Sequence, residues 1–109
     1  MHRTVIHVVD LLVRGEYKKL EALSGTHRLT AMELREAVEG YGRRLTMPPS
    51  SSFENMNVIE INNSNPRQWY VGVDLWTVEE GRSDLTLEFT LTDSSDDLYL
   101  VELNDLHVL

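Results

Sequence analysis

Three carboxylates, Asp74, Glu88 and Glu102, occupy outward positions in the three alternating apolar–polar runs that end the chain. Such groups could exchange protons with a substrate, hold a cation, or dock against a positively charged partner. Carboxylate pairs abound in any acidic domain, so they do not by themselves specify acid–base catalysis. The histidines are His2, His7, His27 and His107. None has metal-ligand spacing with another histidine or with a carboxylate on the same helix face, and His107 reads as a strand-end or core histidine. The chain has no cysteine, which removes disulfides, thiolate chemistry and cysteine-based zinc sites. It also lacks a glycine-rich phosphate loop and a nucleophile elbow. Glu79-Glu80 and Asp96-Asp97 fall in turns and read as solvated loop charge. The turn at 93–97 lacks the ligand spacing of a calcium loop. No catalytic residue, metal or cofactor is assigned.

Docking is the chemistry that remains. Pairing that matches apolar faces sets Leu75 opposite Leu87 and Val73 opposite Phe89, then Leu91 opposite Tyr99 and Phe89 opposite Val101, because a one-residue slip turns every side chain over. On the other face this register sets Asp74 opposite Glu88 and Glu88 opposite Glu102, a row of carboxylates across three strands. Trp76, Thr86 and Asn104 form a second row; Tyr70, Thr92 and Leu98 form a third. Like charges directly opposed cost a sheet up to about 1 kcal/mol per pair. Long, flexible Glu side chains can tolerate that cost on a merely solvated face. The sharper alternative is a docking surface for cations with Trp76 and Tyr70 as aromatic anchors. The candidate partner-binding set is Asp74, Trp76, Glu88, Glu102, Tyr70 and Asn104.

The elements that must carry these residues are legible in outline. Val5, Val8, Val9 and Leu12 fit a helical stripe that Gly15 ends, and residues 16–23 read as a second short helix stopped by Gly25. Thr30 and Glu33 form a capping box, opening a helix with Leu34, Ala37, Val38 and Tyr41 on one face and Gly40 and Gly42 at its end. Residues 48–52, Pro-Pro-Ser-Ser-Ser, read as a loop. Strands are predicted at 58–62, 69–78, 84–92 and 98–103, with a three-residue loop in the Glu79-Glu80-Gly81-Arg82 turn and Gly81 available for a left-handed position. Odd residues from Trp69 through Leu103 make the covered face, and Leu87, Phe89, Val73 and Val101 make its centre. The expected fold is therefore α+β: two or three N-terminal helices packed on a four-stranded antiparallel meander. It forms a single domain over 1–109, helical over 1–45 and sheet over 53–109.

Charge divides along the same line. Up to Leu45 there are eight Lys or Arg and six Asp or Glu; from Thr46 onward there are twelve Asp or Glu and two Arg. The net charge of −8 argues against nucleic acid and anionic membrane surfaces and favours capture of a basic protein. The apolar run at 5–13 is too short and too polar to span a bilayer and lacks a signal-peptide cleavage site. The chain is thus expected in the cytoplasm, as a monomer or a homodimer.

Helices followed by an antiparallel meander resemble the NTF2-like and cystatin-like α+β folds. The stretch 76–87, with the ending Leu106-His107-Val108-Leu109, also resembles an uncharacterised family of small bacterial domains. NTF2-like proteins include ketosteroid-isomerase-type enzymes, ligand-binding pockets and toxin-immunity proteins, and fold alone does not choose among them. An enzyme of that type would need a carboxylate and a proton donor inside the cone, where the inward positions are apolar apart from Tyr99. The leading expectation is a non-catalytic immunity protein that covers a basic bacterial toxin domain with its acidic sheet face. The alternative is a pocket protein, ligand binder or enzyme, using the space between helices and sheet.

Overall fold

A computed structural model describes residues 1–25, 28–94 and 99–108. The N-terminal apolar stripe forms helix α1 (His2–Val13), burying Val5, Val8, Val9, Leu11 and Leu12. Gly15, at φ +74, turns the chain out of it; a positive φ costs glycine nothing. Helix α2 (Tyr17–Leu23) buries Leu20. It ends before Gly25, at an extended Ser24. There Gly25 N–H donates to the Val101 carbonyl, and Leu103 N–H donates to Ser24 Oγ at 3.0 Å. Helix α3 (Ala31–Tyr41) opens on the expected capping box: Thr30 Oγ1 accepts from Glu33 N–H and Glu33 Oε1 accepts from Thr30 N–H, each at 3.1 Å. It closes on Gly42 in the left-handed region.

Two short elements differ from expectation. Strand β1 (Leu45–Thr46) is only two residues long and shows no alternation to detect. Residues expected as a loop contain helix α4 (Ser50–Glu54). Pro49 holds the extended conformation that precedes a first turn, serines suit that first turn better than a helix interior, and Phe53 anchors it in the core.

The sheet is completed by β2 (Asn57–Glu60), β3 (Gln68–Thr77), β4 (Gly81–Asp93) and β5 (Tyr99–Val108). It is open and antiparallel, with five strands in the order β1-β3-β4-β5 and β2 sharing the β3 edge with β1. The fold is thus α+β with four helices and five strands among the described residues. Val73, Leu87, Phe89 and Val101 are all buried, as expected. With Leu20, Leu34, Leu75 and Leu103 they fill the space between helices and sheet. Tyr99 lies at the margin of this layer, its ring edge-to-face with Trp69 at 5.7 Å. No helix among the described residues is long and apolar enough to cross a membrane.

The register differs from expectation, although the facing of β3 and β4 holds. Val73 opposes Leu87 and Val71 opposes Phe89, where Leu75 and Val73 were expected. The three-residue loop falls at 78–80, with Thr77 paired to Gly81 and Gly81 at φ +77. A shift between Asp74 and Trp76 then sets the pairing of the rest of the hairpin. On the other side Leu91 opposes Val101 and Phe89 opposes Leu103. The next pair is Glu88 with Asp105, so Asn104 is an extra residue in β5. Such a bulge turns the following side chains over. Beyond it, even-numbered Leu106 is buried while odd-numbered His107 shares the outer face with Thr86.

Candidate functional site

The helices and the buried odd-numbered residues define one face of the sheet. The other face is the candidate site. Its rows follow from the pairing. Ile59, Tyr70, Thr90 and Glu102 form one row across four strands; Asn57, Gly72, Glu88 and Asp105 form the next; Asp74, Thr86 and His107 form a third. Trp76 faces Thr46 and Arg82, and Leu100 faces Thr92.

The expected carboxylate row is therefore not assembled. Asp74 opposes Thr86, not Glu88, and Glu102 opposes Thr90. Trp76, Thr86 and Asn104 do not share a row, and Tyr70 opposes Thr90 rather than Thr92. Leu98 lies outside the described residues, as do His27 and most of the 93–97 turn. The physical reason is turn placement, which alternation alone does not encode. The first loop falls at 78–80 rather than around Gly81, and Leu91 pairs with Val101 rather than Tyr99. The two irregularities act on top of these offsets. Neutral partners are interleaved among the acids instead. Thr86 Oγ1 donates to Asp74 Oδ1 at 3.1 Å, and Asn104 Nδ2 donates to Thr90 Oγ1 at 2.9 Å.

One pair of like charges does remain opposed, Glu88 with Asp105. His107 stands beside it, Nε2 lying 3.0 Å from Glu88 Oε1 and 3.9 Å from Asp105 Oδ2. The hydrogen bond to Glu88 holds the imidazole pKa above its ordinary value; partial burial opposes this, and the charges of Asp105 and Glu88 add to it. Tyr70 leans over Gly72, where a Cβ would stand 2.8 Å from its hydroxyl oxygen. A side chain at Gly72 would thus displace the phenol. Burial, then the negative charge of Glu88, holds the Tyr70 pKa above its ordinary value. Tyr70, Glu88 and His107 form one connected group on three rows.

Glu102 makes no ion pair among the described residues. It stands between exposed Leu100, at 62%, and the Asn104 bulge. Ile59, 54% exposed, lies at the far end of its row. Exposed apolar groups thus share this face with a carboxylate that has no ion-pair partner among the described residues. His107, Asp105, Ile59 and Leu100 were not among the residues expected here. The signal for His107 and Asp105 was present: Leu103 and Leu106 are three apart, a spacing that regular alternation forbids and one extra residue explains.

A family model described as Domain of unknown function (DUF7668) matches residues 9–109. The chain belongs to this family. The match extends from the middle of α1 through β5, so the DUF7668 domain takes in both the helical layer and the whole sheet. No curated protein and no solved structure matches the chain.

Proposed function

We propose that this DUF7668 domain is a non-catalytic binding protein that captures a basic protein partner on the outer face of its sheet. The observation that carries this reading is the uncovered face itself. Helices α1 to α3 pack on one side, and the other presents Asp74, Glu88, Glu102 and Asp105 together with Tyr70, Ile59 and Leu100. Acidic residues steer a cationic partner during approach, and the aromatic and aliphatic groups supply buried contact after docking. The filled core between helices and sheet favours this face over a concave ligand pocket.

The resemblance of the element order to NTF2-like and cystatin-like folds, which include immunity proteins, extends the proposal. The partner would be a basic bacterial toxin domain, met in the cytoplasm and blocked at its cationic cleft. Small size and net charge −8 suit that role, since fast capture is what a neutralising protein needs.

The test is biosensor binding, at low and high salt, to a basic toxin domain found by inspecting the genes adjacent to this one. The expected result is an association rate that falls with salt and falls further in Glu102→Gln. An unchanged rate in Glu102→Gln and in Leu100→Ser together would overturn the assignment to this face.

A further inference from the structure

Along its outer edge β3 pairs with β2 as far as Gly72 and with β1 from Trp76, so residues 73–75 have no strand partner there. Helix α4 stands at this gap. Between them lies a cavity of about 350 Å³, lined by Ser51, Asn55, Asn57, Asp74, Trp76 and Arg82 among others. That is the lower end of the size range of small-molecule sites, ~300–1,000 Å³.

The lining is chemically incomplete in a specific way. Trp76 Nε1 is buried and has no acceptor among the described residues. A buried N–H without a partner is rare and unfavourable. The ring's other edge, Cζ3 and Cε3, packs toward Gly81. Arg82, directly across from Trp76, makes no ion pair among the described residues. Asp74, two residues before Trp76, accepts one hydrogen bond, from Thr86. A carboxylate has capacity for several. A cation and an anion thus line one cavity, flank one indole, and do not pair with each other. Their complement is a ligand carrying both charges.

We propose that this cavity binds a small zwitterion of the free amino acid class. Its carboxylate meets the Arg82 guanidinium and the Trp76 N–H, and its ammonium meets Asp74. The Asn55 and Asn57 amides and the Ser51 hydroxyl are the polar groups available to its side chain. Asp74 is shared with the outer face proposed for partner capture, but Glu102 and Leu100, where capture is tested, do not line this cavity, so the two readings can fail separately.

The chain has two tryptophans, so Trp69→Phe leaves Trp76 as the single indole reporter in the intact protein. Each free L-amino acid is titrated in turn, with acetate and methylamine as single-charge controls. The expected result is a saturable fluorescence change with at least one amino acid and none with either control. Arg82→Gln and Asp74→Asn should each weaken that binding about tenfold or more, as loss of a charge-assisted hydrogen bond does. Asp74→Asn keeps an oxygen for Thr86, and Arg82 is exposed, so melts of both variants should match the parent and keep the comparison valid. No saturable change with any amino acid overturns the proposal. So does equal binding of acetate, which would make the cavity an anion site, and so does unaltered binding in both folded variants.

Discussion

Glu88 does two opposite things. It faces another carboxylate, Asp105, across the strand pair, and it accepts from His107 in its protonated state. Because the His107 pKa is raised in the fold, this contact contributes stability that is fully present below the unfolded value of about 6.5. The contribution is lost as pH rises through the folded value. In Glu88→Gln the His107 titration, followed by NMR, should move down toward the ordinary histidine range. The variant should lose stability relative to the parent in acid and approach it, or exceed it, in alkali, where only the repulsion of Asp105 remains to be relieved. An unmoved His107 titration would show that the 3.0 Å contact does not hold in solution. The same titration makes the outer face less negative in mild acid, so capture of a basic partner there should slow as His107 gains its proton.

At the scale of elements, the strongest local signals were sufficient. The capping box at Thr30 and the alternation of β3 and β4 were each legible because one physical requirement, an N-terminal donor pair or a half-buried face, dictates residue types at fixed spacing. Phe89, fully buried at the centre, should cost about 3–5 kcal/mol when replaced by Ala; Thr30→Ala should cost only about 1 kcal/mol. Urea denaturation measures both, and a near-neutral Phe89→Ala would mean the wrong face is buried. What alternation could not supply was the count of residues between pairs. β1 is too short to alternate, α4 is held by Phe53 rather than by propensity, and the bulge at Asn104 breaks the period that register prediction relies on. Deleting Asn104 tests that last point. If it is the extra residue, its removal leaves Glu88 opposite Asp105 and Leu106 inward, at a cost of about 1 kcal/mol for the lost bond to Thr90. The His107 titration should then stay raised. Were β5 regular instead, the deletion would turn residues 105–108 over and carry His107 to the other face, so its titration would change.

For the whole molecule, the division of charge along the chain becomes a division between layers. The near-neutral N-terminal part forms α1 to α3, while most of the acids lie in the sheet part. Net charge alone steers any basic partner weakly and without orientation; a charged face steers it into a particular pose. The two are separable by moving the same charge change between layers. Glu102→Lys reverses a carboxylate on the outer sheet face, and Glu36→Lys reverses an exposed one on α3. Both alter the net charge equally. If capture occurs on the sheet face, Glu102→Lys should slow association by about tenfold at low salt, within the range over which electrostatic steering acts, and Glu36→Lys should have a much smaller effect. The gap between them should close in 1 M salt, where the screening length falls to about 3 Å. Stopped-flow association with the basic partner at two salt concentrations makes the measurement. Equal slowing by the two reversals would mean that the charge acts as a whole-body attraction, and the sheet face would lose its claim to be the docking surface.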